Sequence, residues 1–174
     1  DLGRASAATD IDTTGLHVLP GVIDTQVHFR EPGMEHKEDL ESGTRGAVLG
    51  GVTAVFEMPN TRPTTTDPDA LADKLARARG RAWCDHAFYL GASAENAASL
   101  GAWERMEGCC GVKVFMGSST GDLLVAADED LRRVLGSGTR RVAVHCEDED
   151  RLVERKGLAV DDVASHAVWR DEET

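Results

Sequence analysis

Five short runs of β-branched, aromatic and other apolar residues recur along the chain, their centres roughly thirty residues apart, the size of one βα unit. The runs cover residues 17–24, 52–58, 86–91, 111–116 and 141–146. Helix-like segments follow them at about 38–50, 68–79, 94–107, 127–136 and 149–156. The second helix has the sharpest start: Asp67 can cap it, Pro68 suits its first position, and Leu71, Leu75 and Ala78 mark one face. Strands alternating with helices at this spacing predict a parallel sheet. Two architectures fit, an open doubly wound sheet or part of a (β/α)8 barrel. A nucleotide-binding sheet carries a Gly-rich fingerprint after its first strand. Here the first run leads instead into Val27-His28-Phe29-Arg30-Glu31-Pro32-Gly33. In both architectures ligands bind at the carboxyl ends of the strands, so the chemistry is sought there.

The 174 residues suffice for a domain with a real hydrophobic core. Thirty-one acidic against 19 basic residues give a net charge of −12, which argues against a nucleic-acid partner. No apolar run approaches the roughly 18 residues of a membrane span, and no signal peptide opens the chain. Four cysteines, with Cys109 and Cys110 adjacent, do not make a disulfide framework, so the expected compartment is a reducing cytoplasm.

At the end of the first run Asp24, Gln26 and His28 alternate onto one face. His28 either ligates a metal or hydrogen-bonds a backbone carbonyl. In the fourth run Lys113 lies between Val112 and Val114. It either points to solvent or points inward, where a cation is costly and needs a partner or a chemical change. A buried lysine of lowered pKa can react with carbon dioxide to give a carbamate, an anionic ligand able to bridge two metals. The fifth run ends in His145, followed by the acidic stretch 147–150 that suits the first turn of a helix. Cys146 faces away from His145 and reads as packing. His17, His36, His86 and His166 read as structural. The stretch Gly117-Ser118-Ser119-Thr120-Gly121 lacks the Lys-Ser/Thr pair of a P-loop and reads as an active-site loop.

Taken together, these segments resemble the cyclic amidohydrolases, and more narrowly dihydroorotase. The first-strand stretch Pro20-Gly21-Val22-Ile23-Asp24-Thr25-Gln26-Val27-His28-Phe29-Arg30-Glu31-Pro32-Gly33 resembles the family's signature. Phe56-Glu57-Met58-Pro59-Asn60-Thr61 is similar to its second-strand motif. Lys113 through Gly121 resembles its lysine strand, and Val144-His145-Cys146-Glu147-Asp148 its fifth-strand histidine. Ser165-His166-Ala167-Val168-Trp169-Arg170 is similar to the segment after it. The resemblance implies an α/β fold of the (β/α)8 TIM-barrel type found in metal-dependent hydrolases. Residues 17–174 would supply its first five or so βα units, and residues 1–16 the end of a small amino-terminal β segment leading into it.

It further implies hydrolysis of a ring amide at one or two zinc ions. His28 would bind the more buried metal, carbamylated Lys113 would bridge the two, and His145 would bind the second. Arg30 and Asn60 match the residues that hold the substrate carboxylate, a task suited to a guanidinium fork. Hydantoinase- and allantoinase-like relatives bind rings lacking that carboxylate, so Arg30 favours dihydroorotate and carbamoyl-aspartate as the small-molecule partners. A homo-oligomer, or aspartate carbamoyltransferase as a protein partner, also follows from the resemblance.

Two departures stand out. Where the family carries His-x-His on the first strand, this chain has Gln26, a weaker zinc ligand than imidazole. The family's general-base aspartate falls on a later strand, beyond Thr174. Three readings result: dihydroorotase, a non-catalytic dihydroorotase-like subunit supporting aspartate carbamoyltransferase, and a sister enzyme acting on hydantoin-like rings. An eight-stranded barrel takes about 250 residues. The 174-residue chain by itself is therefore expected to show no turnover of dihydroorotate in a direct assay, and measurable hydrolysis would overturn that expectation.

Overall fold

The computed structural model describes residues 8–117 and 123–174. Five parallel strands form one sheet in chain order: β1 (Val22–Val27), β2 (Val52–Glu57), β3 (Asp85–Gly91), β4 (Cys109–Phe115) and β5 (Val142–His145). The helices are α1 (Leu40–Leu49), α2 (Pro68–Ala78), α3 (Leu100–Trp103), α4 (Asp128–Leu135), α5 (Glu149–Arg155) and α6 (Ser165–Trp169), with a 3-10 turn at Lys156–Leu158. Every sheet neighbour is the next strand in sequence, joined by a crossover. That is the winding of a (β/α)8 barrel over five of its units; a doubly wound sheet reverses direction at a switch point.

Two helices begin as their sequences require. Asp39 accepts from the backbone N–H of Ser42 at 2.7 Å, and Asp67 from that of Ala70 at 2.8 Å, with Pro68 in the first turn. These caps satisfy backbone donors that no earlier carbonyl can reach. Between sheet and helices lies the main core, built on Phe29, Leu40, Val55, Leu71, Phe88, Leu90, Val112 and Val114. The other face of the sheet carries a smaller cluster of Met58, Tyr89 and Cys110, flanked by Phe56, Ala87 and Ala143.

Strand β4 reaches both clusters because of a one-residue irregularity. Phe88 pairs with Cys109 but Tyr89 with Gly111, so the register slips at Cys110. A bulge of this kind reverses which side chains face which layer. Cys109 thus joins the main core and Cys110 the smaller cluster, while Val112 and Val114 return to the main core. Gly111 allows the slip: its φ is +150°, and a Cβ there would run into the Arg141 carbonyl oxygen. Burial pushes the Cys110 thiol up to about 12.

Several boundaries differ from expectation. The first strand begins at Val22, and residues 17–20 are exposed and outside the sheet. The expected helix over 94–107 shrinks to Leu100–Trp103, because Asn96 fixes the preceding loop. Its side chain accepts from Ser93 N–H at 2.9 Å and donates to the carbonyls of Thr66 and Gly91 at 2.8 Å each. Residues 8–16 carry no strand; residues 1–7 of the expected amino-terminal segment, and Ser118 to Gly121 of the expected active-site loop, lie outside the described residues. No helix among the described residues is long and apolar enough to cross a membrane.

Leu71 is fully buried and Leu49 is 84% exposed. Leu71→Ala is therefore expected to lower unfolding free energy by about 2–5 kcal/mol, and Leu49→Ala to stay within about 0.5 kcal/mol, as read by urea denaturation.

Candidate functional site

Past the end of β1 the chain alternates once more before it turns. Phe29 packs into the main core against Gly43 of α1, where a Cβ would collide with the Phe29 ring. His28 therefore faces the opposite way, and its Nδ1 lies 2.8 Å from Asn60 Oδ1. An amide oxygen can only accept, so Nδ1 carries the proton and Nε2 keeps its lone pair. Burial holds the His28 pKa down; the Asn60 hydrogen bond opposes this, and the charges of Arg30, Lys113 and Lys74 add to the lowering. The ring is thus neutral at neutral pH. It has the form of a metal-ligating histidine whose second nitrogen is fixed by a hydrogen bond.

Arg30 adopts φ +71°, a left-handed conformation uncommon outside glycine. Its Nη1 donates to the Asn60 backbone carbonyl at 3.4 Å. Asn60 follows β2 through Met58 and Pro59, and the Met58 N–H bonds to the Val27 carbonyl at 2.9 Å. His28, Arg30 and Asn60 are thereby brought together at the carboxyl ends of β1 and β2.

Lys113 pairs in register with Gly91 and Ala143, and Phe115 with His145. Since Val112 and Val114 face the helices, Lys113 faces the other layer, and it is 3% exposed. The inward alternative is the one observed. Among the described residues no carboxylate lies within salt-bridge distance; the ammonium sits 4.8 Å from the centre of the Phe115 ring. Burial lowers its pKa, opposed by the Cys146 sulfur. Gly91, its register partner, lets Leu123 and Pro59 pack close against β3, where a Cβ would collide with Leu123.

His145 ends β5 on the same face, its Nε2 2.6 Å from Glu147 Oε2. Arg170 Nε donates to the other Glu147 oxygen at 2.5 Å. Burial alone would raise the Glu147 pKa, but hydrogen bonds from His145 and Arg170 outweigh it and hold the carboxyl below its usual range. With an ionised acceptor, the proton of this contact sits on His145 Nε2, and Nδ1 is the ring nitrogen not engaged by Glu147. Glu147 was expected in the first turn of the next helix; it precedes it, and Asp148 supplies the cap instead.

Gln26 is exposed on the edge strand β1, and a register shift between Asp24 and Val27 breaks its strict alternation with Asp24. Cys146, read as packing, is exposed, since β5 is also an edge of the sheet. His86 Nδ1 lies 3.2 Å from the carbonyl of Cys84, two residues earlier, and His17, His36 and His166 are exposed. Among the described residues no three His, Cys, Asp or Glu side chains are grouped to hold a metal; His28, Lys113 and His145 are the donors that one face of the sheet presents.

Sequence reasoning missed the charged groups behind this face. Glu57, on the helix side of β2, lies 2.9 Å from Lys74 of α2, each side chain 1% exposed, and Lys74 also donates to the Met58 carbonyl at 3.1 Å. Burial raises the Glu57 pKa against the pull of Lys74, and lowers that of Lys74 against the pull of Glu57. A signal existed: Lys74 falls three residues after Leu71 and four before Ala78, on the apolar stripe of α2.

Similarity to known proteins covers most of the chain. Residues 15–103 match the family model described as Dihydro-orotase-like. A dihydroorotase of Halobacterium salinarum is 43% identical over 138 residues, which is 78% of this chain and 32% of that protein. The multifunctional protein CAD of Squalus acanthias is 54% identical over 94 residues, 51% of this chain and 4% of that protein. Among solved structures, an L-hydantoinase (dihydropyrimidinase) from Arthrobacter aurescens superposes with a TM-score of 0.84 at 27% identity, over 98% of this chain and 40% of that one. The chain thus spans about a third of the archaeal relative's length and a far smaller part of the multifunctional protein.

Removing one partner of a buried ion pair strands the other. Lys74→Met is expected to cost about 3–5 kcal/mol of stability, and the double variant Glu57→Leu/Lys74→Met to recover most of it, both read by chemical denaturation.

Proposed function

The chain belongs to the dihydro-orotase-like family, and from that premise we propose that the protein carrying it is a zinc-dependent dihydroorotase. The reaction is the reversible hydrolysis of the ring amide of dihydroorotate to carbamoyl-aspartate, a step of pyrimidine synthesis. The observation that carries this reading is the placement of the Arg30 guanidinium on Asn60, beside the His28 ring, at the adjoining ends of β1 and β2. A ring substrate bearing a carboxylate meets a fixed cation there, next to a neutral imidazole.

The donor set fits zinc. His28 offers a lone pair at Nε2, and His145 offers one at Nδ1 while Glu147 holds Nε2. Lys113 is buried without an anionic partner among the described residues, and its lowered pKa enlarges the neutral amine fraction. That amine can attack carbon dioxide, forming an N–C bond and releasing a proton, which turns a buried cation into an anionic oxygen ligand. Bound zinc supplies a water of near-neutral pKa and polarises the scissile carbonyl. The chain's own residues orient the partners: Asn60 fixes the His28 tautomer, and Arg30 takes the substrate carboxylate in paired charge-assisted hydrogen bonds. No residue of this chain is assigned as general base.

A second reading has one specific observation in its favour. Gln26 stands where the family carries an imidazole, which suits a non-catalytic subunit supporting aspartate carbamoyltransferase. Retention of His28, Lys113 and His145 weighs against it. The protein carrying this chain is expected to contain zinc and hydrolyse dihydroorotate, and Lys113→Ala to lose at least about 100-fold in kcat with the loss of bound metal. A metal-free preparation without activity would select the scaffold reading. Equal turnover of a hydantoin lacking the carboxylate would select the sister enzyme.

A further inference from the structure

We propose that Arg81, acting through Glu31, is a positioning residue for Arg30 and thereby sets the discrimination between rings that bear a carboxylate and rings that do not. The inference rests on the reading of Arg30 as the carboxylate-binding residue. Its basis is the left-handed backbone of Arg30, a strained conformation that persists only where its surroundings over-determine it.

Those surroundings are the loop that follows β1. The Arg30 carbonyl accepts from Met34 N–H at 3.0 Å, and the Pro32 carbonyl accepts from Arg62 N–H at 2.9 Å. Gly33, with φ +89°, lies so close to the Arg62 carbonyl that a Cβ would collide with it. Glu31 is 3% exposed, and its carboxylate is engaged on every side. One oxygen accepts from Arg81 Nη1 at 2.6 Å; the other accepts from Arg81 Nη2 at 3.2 Å and from the Leu40 N–H that opens α1 at 2.9 Å. Arg81 stands in the turn after α2, and its Nη1 also reaches the Arg77 carbonyl at 3.3 Å. The Glu31 carboxylate is therefore tied to the end of α2 through a planar guanidinium fork and to the start of α1 through the Leu40 N–H. The fork fixes direction as well as distance, which a single ammonium cannot. With Glu31 locked, the peptide between residues 30 and 31 is locked too, and the Arg30 side chain leaves the backbone toward Asn60 and not toward solvent.

Loss of the fork frees this peptide to relax to φ below zero, which turns the Arg30 guanidinium away from the ligand while leaving His28, Lys113 and His145 in place. The test uses the protein that carries this chain, with zinc present, and compares Arg30→Ala, Arg81→Ala, Arg81→Lys and Glu31→Gln. The readouts are kcat and KM for dihydroorotate, and competitive inhibition by orotate and by uracil, which differ by the carboxylate. Arg81→Ala is expected to raise KM and the orotate inhibition constant about tenfold, with kcat within about twofold and uracil unaffected. Arg81→Lys, which keeps the charge but not the fork, is expected to fall between Arg81→Ala and the parent, and Glu31→Gln to follow Arg81→Ala. Should Arg81→Ala not fold, Arg81→Lys carries the test, and its parental KM for dihydroorotate would overturn the proposal. An unchanged KM in Arg81→Ala, or equal weakening of orotate and uracil, would also overturn it provided Arg30→Ala weakens orotate alone. If Arg30→Ala itself leaves orotate binding unchanged, the carboxylate reading falls and the positioning role falls with it.

Discussion

A slip of one residue at Cys110 decides what β4 can do. Side chains alternate across a strand, so a strand without the slip would put Cys109, Gly111 and Lys113 on one face and Val112 and Val114 on the other. Cys109 packs against the helices, and Lys113 would have followed it into the main core. The irregular pairing of Cys109 and Gly111 with β3 consumes a residue and reverses the faces from there on. Val112 and Val114 then fill the helix-side core, and Lys113 stands on the layer that also holds Tyr89, Phe56 and His145. Gly111 is the residue that makes this possible, because its backbone lies where a side chain would strike Arg141. The position of the site lysine is therefore a property of the backbone three residues earlier.

Charge is distributed unevenly through the sheet as a consequence. Lys113 faces the inner layer without an anion at salt-bridge distance among the described residues, while the buried carboxylates nearby, Glu57 and Glu31, point to the helix side and are matched by Lys74 and Arg81. Each of these pairs touches backbone that leads into the site. Lys74 holds the Met58 carbonyl, two residues before Asn60, and Glu31 holds the start of α1 while adjoining Arg30. Buried ion pairs contribute little net stability compared with apolar packing. Their geometric effect is larger here: each needs a defined distance between a strand end and a helix, and so fixes where that strand end lies.

Much of this was legible in sequence because it is local. The thirty-residue repeat, the cap at Asp67 and the strand-terminal positions of His28 and His145 depend on neighbours within a few residues. Lys113 was readable two ways, since alternation within 111–116 sets its partners on β4 but not which face meets the helices; the bulge that settles it needs β3 as a reference. The third helix failed for a similar reason. Residues 94–107 have helical composition, but Asn96 spends its side chain on Thr66 and Gly91, thirty and five residues away, and holds a turn instead. Glu57 with Lys74, and Glu31 with Arg81, are pairings across 17 and 50 residues that no single-strand or single-helix pattern encodes. Glu147 was misread because a carboxylate ahead of a helix looks like a first-turn residue until the partner, Arg170, is folded back onto it.

With Gln26 exposed on β1, His28 is the imidazole at the carboxyl end of that strand. One histidine remains on β1 and its extension, so any ligand bound there depends on the orientation of His28 alone. That orientation is set by the side chain of Asn60, whose backbone carbonyl is at the same time the acceptor for Arg30. The two tasks assigned to this corner, presenting a lone pair and recognising a carboxylate, therefore converge on one residue. A rotamer change at Asn60 would release the His28 ring, and a displacement of its backbone would release the Arg30 contact. In the proposed reading, metal binding at His28 and carboxylate recognition at Arg30 would both depend on where Asn60 sits. The loops after β1 and β2 are held from behind by two charged anchors, Lys74 on the Met58 carbonyl and Arg81 on the Glu31 carboxylate, so the corner formed by His28, Arg30 and Asn60 rests on helix α2 and the turn after it.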